Sequence, residues 1–157
     1  RAVSLPARVG RVELDGAVLD ESALAGAVPA ARSALLDSLP VPAGDGFFYV
    51  VDGRIDGAEA FDPLLRVTVM VAKFKRYELP EAAVRLSAGR EPGTFALTAD
   101  RPAFFVRPEA AGFAGAFDDA SFLLLPEETR SVAFRSFDGR VPAHGDISVA
   151  HVAQTWR

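Results

Sequence analysis

The chain has 157 residues, half of them apolar, and a formal net charge of -4. That length allows one or two domains, and the apolar content is enough for a core in each of two. The mild charge without any Lys/Arg cluster argues against nucleic acid as a partner; the lack of Cys excludes disulfides, thiolate metal sites and Cys nucleophiles; and no apolar run approaches the roughly 18 residues of a membrane helix.

The chain begins at Arg1 in what reads as the middle of a structure, with no visible signal peptide. It is expected to be a soluble piece of a longer protein whose compartment stays open. Arg8 to Leu14 alternates apolar and polar, Asp15-Gly16 is a turn signal, and Ala17, Val18 and Leu19 resume the apolar run. A hairpin and a single strand passing a bulge both fit. Ser22 to Leu39 is rich in Ala; helix propensity is set against Gly26 and Pro29, and extended structure with turns is the favoured reading. Pro40 to Gly46 is a loop. Phe47 to Val51 is a strand closed by Asp52-Gly53, and Arg54 to Ala60 is a polar loop. Leu64 to Phe74 is expected to be one long strand, apolar on both parities, and so either central or set against a second domain. Met70 within it is expected to fill core. Lys73, Lys75 and Arg76 break the pattern, and the domain boundary is placed near Pro80 or Glu81, in a compact linker anchored by Tyr77 and Leu79. The domains are then 1–80 and 81–157.

The second half is more regular. Strands are expected over Ala83–Ser87, Thr94–Ala99 with Phe95 and Leu97 inward, and Ala103–Arg107 with Phe104 and Phe105 on opposite faces. Pro108 is expected to end the third of these. Residues 109–116 form a small-residue loop. Phe122–Leu125 and Val132–Arg135 flank a Pro126–Thr129 turn, so they are either neighbouring antiparallel strands or a crossing between sheets. A hairpin-like turn at Asp138-Gly139-Arg140, a last strand Ile147–Val152 and a tail with Trp156 complete the chain. Six or seven short strands at this spacing are the pattern of an immunoglobulin-like β-sandwich. The fold class is therefore all-β, two consecutive sandwiches with the first partial or divergent.

The search for chemistry is mostly negative. Asp118-Asp119 and Glu127-Glu128 are adjacent pairs, and adjacent side chains on a strand point to opposite faces. Nothing arranges two of them across a slot as glycosidic acid–base work requires. Asp118 and Asp119 are expected to serve a turn, with a cation or a domain contact as the alternative. His144 and His151 do not make a catalytic zinc site without a third protein ligand; Asp146 could in principle join them, but the pattern is a weak one. No nucleophile elbow or phosphate loop is present. The aromatics, most of them Phe, fit core better than a sugar platform. No catalytic residue, metal or cofactor is assigned.

Phe117-Asp118-Asp119-Ala120-Ser121-Phe122, then Leu124-Leu125-Pro126-Glu127-Glu128, then Val132-Ala133-Phe134 resemble the run of the C-terminal immunoglobulin-like domain of β-mannosidases and related members of glycoside hydrolase family 2. Ala103-Phe104-Phe105-Val106 and the linker Lys73–Pro80 are similar to that family as well. The resemblance implies a non-catalytic accessory region, since the family's catalytic carboxylates lie on a barrel domain. It makes Phe117, Asp118, Asp119, Phe122, Pro126 and Phe134 structural-turn or domain-contact residues. The implied partners are the remaining domains of the parent glycosidase, with a β-mannoside oligosaccharide as a second candidate. An independent carbohydrate-binding module and a generic adhesion or structural sandwich are the competing readings. Two positions depart from the family run: Ala120 stands for its asparagine and Glu127 for its glycine. Glu127 carries a Cβ, so its turn must avoid positive φ or bear strain.

Overall fold

The structure is a computed structural model that describes residues 3–4, 6–24, 27–28, 35, 38–39, 41–44, 46–54 and 65–155. The chain divides into two compact units, Arg1–Glu78 and Leu79–Arg157.

In the first unit the strands are β1 (Val3–Ser4), β2 (Ala7–Glu13), β3 (Val18–Leu24), β4 (Ala27–Val28), β5 (Phe47–Gly53) and β6 (Arg66–Met70). β1 and β4 make a two-residue ladder, and the others form an antiparallel sheet in the order β3-β2-β5-β6. Asp15-Gly16 does turn a hairpin between β2 and β3: the Asp15 carboxylate accepts the Ala17 N–H at 2.9 Å. The sequence reading of Asp52-Gly53 as a closing turn is corrected. Both residues belong to β5, because Asp52 is paired across the ladder with Arg8 on one side and Arg66 on the other. The expected long strand is also corrected. β6 covers only Arg66–Met70, and a 3-10 turn at Phe74–Arg76 stands where the basic residues interrupt the alternation. Nor is it central: among the described residues β6 is an edge, with Val67 and Val69 exposed. Apolar residues on both parities do not distinguish a central strand from an edge. Tyr77 is buried; its hydroxyl accepts the Ala72 N–H at 3.0 Å and donates to the Phe47 carbonyl at 3.4 Å. Most of Ser22–Leu39, the Arg54–Ala60 loop beyond Arg54, Leu64 and Trp156 lie outside the described residues.

The second unit contains β7 (Val84–Ala88), β8 (Thr94–Ala99), β9 (Ala103–Ala110), β10 (Gly115–Phe117), β11 (Phe122–Leu124), β12 (Arg130–Ser136) and β13 (Ile147–Ala150). They form two antiparallel sheets, β10-β12-β8-β7 and β11-β9-β13. Phe95, Leu97, Ala99, Ala103, Val106, Leu124, Val132 and Phe134 come from both sheets and form one buried cluster. This is an immunoglobulin-like β-sandwich, and the chain is all-β.

Strict alternation on β8 buries Phe95, Leu97 and Ala99. On β9 it fails. Phe122 pairs with Val106 but Leu124 with Ala103, so β9 carries an extra residue there. Phe105 takes up the bulge with φ of 54° and is 53% exposed, whereas Ala103 and Phe104 are both buried. Pro108 does not end the strand as expected: β9 runs on to Ala110, and Pro108 pairs with Val149. A proline is tolerated in a ladder where its nitrogen faces an unpaired edge, and β11 pairs with β9 only as far as Val106. The expected 109–116 loop shrinks to a turn, since Glu109 and Ala110 extend β9 and Gly115 opens β10. Asp138–Arg140 does not close a hairpin, because β12 and β13 belong to different sheets.

Candidate functional site

The segment Phe117–Arg135 leaves one sheet, crosses to the other and returns. β10 and β12 lie in the larger sheet and β11 in the smaller one, so the Pro126–Thr129 turn is a crossing and not a hairpin. Each acidic residue in the crossing has an identifiable partner or conformation. Asp118 extends the β10–β12 ladder: its N–H donates to the Ala133 carbonyl at 2.9 Å, and its Oδ1 accepts the Ala133 N–H at 2.8 Å. The bond spans two strands and is not the local Asx turn expected from the sequence. Asp119 forms a salt bridge with Arg130. The two side chains are only 23% and 11% exposed, and the Arg130 guanidinium lies 5.3 Å from the centre of the Phe122 ring. One arginine thus ties the loop before β11 to the first residue of β12 by charge and by a cation–π contact.

The turn after β11 is closed at both ends. The Glu128 N–H donates to the Leu125 carbonyl at 3.3 Å, and the Leu125 N–H donates to Glu128 Oε2 at 3.3 Å. Pro126 occupies the second position and Glu127 the third, with φ of 62°. Proline followed by a single positive φ is the pattern of a type II turn, whose third position favours glycine. Of the two possibilities for Glu127, the backbone therefore takes the strained one. Ser121, next to Ala120, has φ of 66°, and its N–H donates to the Val106 carbonyl at 2.8 Å.

Phe117 and Phe134 sit on paired positions of β10 and β12. Their rings meet edge-on at 5.3 Å, and Phe117 also meets Phe95 at 6.1 Å. Gly115 allows this approach: a Cβ there would collide with the Phe134 ring and the Arg135 carbonyl. The six residues singled out from the sequence thus all lie in the crossing and the strands beside it. Their partner Arg130 went unnoticed, although a lone arginine opening an apolar alternation was a usable signal.

Outside this segment, His151 is buried, with Nε2 3.1 Å from the Ala82 carbonyl, and His144 Nε2 lies 2.9 Å from the Leu86 carbonyl. Among the described residues no group of three His, Cys, Asp or Glu side chains could hold a metal ion, and no helix is long and apolar enough to cross a membrane. Asp138 is held below the usual carboxylate range, chiefly by the Arg140 N–H at 3.0 Å.

The first unit contains a charged row that the sequence reading missed. Asp52 is 3% exposed. Its Oδ1 accepts from Arg66 Nε at 2.6 Å, and its Oδ2 accepts from Arg66 Nη2 at 3.2 Å and from Arg8 Nε and Nη2 at 3.2 and 3.0 Å. Burial alone would raise the Asp52 pKa, but the bonds and charges of Arg66, then those of Arg8, outweigh it and hold the carboxyl below its ordinary value. Arg8 also reaches Glu21 at 3.3 Å.

Residues 78–155 match the mannosidase-type Ig-fold domain family. The second unit belongs to that family. No curated protein sequence matches the chain significantly. Among solved structures, the β-D-mannosidase from Dictyoglomus thermophilum is similar over 96% of this chain at 17% identity, with a TM-score of 0.71. The exo-chitosanase CsxA from Amycolatopsis orientalis is similar over 97% at 16% identity, with a TM-score of 0.54. At these identities the likeness is one of fold. The chain spans only 19% and 24% of those two proteins. In this mannosidase Ig-fold unit the backbone at position 127 is one that favours glycine, and glutamate occupies it.

Proposed function

We propose that this chain is a non-catalytic accessory pair of β-domains from a β-mannosidase-like glycoside hydrolase of family 2. It packs against the catalytic domain and supports the shape of the active-site cleft. The observation that carries this reading is the family membership of residues 78–155. The side-chain chemistry agrees with it: Asp118, Asp119 and Glu128 are engaged in bonds that hold the crossing together. A carboxylate fixed in this way is a poor candidate for the proton transfers of glycoside cleavage. The partners under this reading are the remaining domains of the parent enzyme.

The purified chain is expected to show no turnover of p-nitrophenyl β-D-mannoside. Turnover that survives rigorous purification and is lost on Asp118→Asn or Asp119→Asn would overturn the proposal. Titration with manno-oligosaccharides, followed by NMR, separates it from a carbohydrate-binding module. Saturable shifts clustered on aromatic residues would favour the module.

A further inference from the structure

β5 reads Phe-Phe-Tyr-Val-Val-Asp-Gly and β6 reads Arg-Val-Thr-Val-Met. Both strands are apolar on both parities, apart from Thr68, until Asp52 and Arg66 are reached. A slip of two residues keeps every side chain on its own face, so the division into an inner and an outer face does not oppose it. Sliding β6 by two residues against β5 would place Val69 opposite Val51 and Met70 opposite Val50. Sliding it the other way would place Val67 opposite Tyr49. Each arrangement still sets apolar groups against apolar groups. The charged residues do not tolerate the slip. In the observed register Asp52 faces Arg8 across one ladder and Arg66 across the other, with four hydrogen bonds of 2.6–3.2 Å. Displacing β6 would leave a buried carboxylate without its closest partner and a largely buried arginine beside apolar or basic neighbours.

We propose that the Arg8–Asp52–Arg66 row is a register lock: it determines which residues of β5 and β6 face one another, a choice that their apolar pattern leaves open. A buried ionic group contributes less to stability than its bonds suggest, because desolvation offsets them, and its best-attested use is to exclude alternative pairings. This role is independent of the accessory function proposed above.

The chain contains no Cys, so introduced pairs can report register without interference. Val51→Cys with Val67→Cys reports the observed pairing. Val51→Cys with Val69→Cys and Tyr49→Cys with Val67→Cys report the two slips, because diagonal positions in a fixed register lie too far apart to bridge readily. With the charged row intact, mild oxidation is expected to cross-link the first pair and to leave the other two at background. The triple variant Arg8→Met, Asp52→Leu, Arg66→Met keeps the row's bulk and removes its charge. In it, at least one slipped pair is expected to rise several-fold, toward the yield of the observed pair. Slipped pairs that stay at background while the observed pair still closes would overturn the proposal. Should the triple variant fail to fold, Arg66→Met alone decides, since Asp52 keeps Arg8 there. A rise in either slipped pair supports the lock, and background yield in both overturns it.

Discussion

Replacing Glu127 by glycine is expected to stabilise the second unit. Glu127 is exposed, and its φ of 62° places it in the left-handed region. For a residue with a Cβ that conformation costs about 1–2 kcal/mol. Glycine escapes the clash but loses more chain entropy on folding, which returns about 0.5–1 kcal/mol. The net gain is about 0.5–1 kcal/mol, since the exposed side chain contributes no burial. For a unit of this size, that gain raises the midpoint of thermal unfolding by about 2–8 °C. Differential scanning calorimetry of the chain measures it, provided that the transition of the second unit is assigned by NMR, since two units can melt separately. Glu127→Ala is the control. It removes the carboxylate but keeps the Cβ, so it should stay within about 0.5 kcal/mol of the parent. If Glu127→Gly is no more stable than Glu127→Ala, the strain argument is wrong.

Three further outcomes are expected. Asp119→Asn strips a mostly buried arginine of its counter-charge and should destabilise the second unit by about 2 kcal/mol in denaturant titration, a little below the range for fully buried pairs. Gly115→Ala should cost at least about 1–3 kcal/mol, because neither the Phe134 ring nor the Arg135 carbonyl can yield without disturbing the β10–β12 ladder; an unchanged midpoint would mean that β10 is not held as described. Asp52→Asn should destabilise the first unit by about 3–5 kcal/mol at neutral pH. The Asp52 carboxyl titrates lower in the folded chain than in the unfolded one. Its contribution is therefore fully present above the unfolded value of about 3.9 and is lost as pH falls through the lower folded value. Unfolding measured from pH 2 to 6 should show this acid loss in the parent chain and a shallower slope in Asp52→Asn.

Where one side of a strand meets the core and the other meets solvent, the sequence carries the structure on its surface. Thr94–Ala99 is such a strand, and its ends and inward face follow from alternation. The turn at Glu127 was legible as a conflict between a residue and a conformation, and the backbone resolved the conflict toward strain. Other features depend on facts that no local pattern contains. Pro108 ends a strand or does not, according to whether a neighbour occupies the edge its nitrogen faces. β10 has three residues, one of them a glycine, and only its partner β12 makes it a strand. Asp52 followed by Gly53 has the composition of a turn, and two arginines distant in sequence keep it in a ladder. The bulge at Phe105 inserts one residue into β9, so Ala103 and Val106, three positions apart, both reach the buried cluster.

The sheet-changing path of the second unit bears on how it forms. Among the described residues only β7 and β8 are joined as a local hairpin; each later connection carries the chain to the opposite sheet. Contacts between distant residues therefore dominate, down to the His151 ring beside the Ala82 carbonyl. Such topologies fold slowly, because loop-closure entropy must be overcome before the long-range contacts repay it. During synthesis β9 cannot gain its partner β13 until residues 147–150 have left the ribosome. The nascent unit thus has a long interval in which Phe95, Leu97 and Val106 are made but uncovered, and in that interval a chaperone or an already folded neighbouring domain would have most to protect.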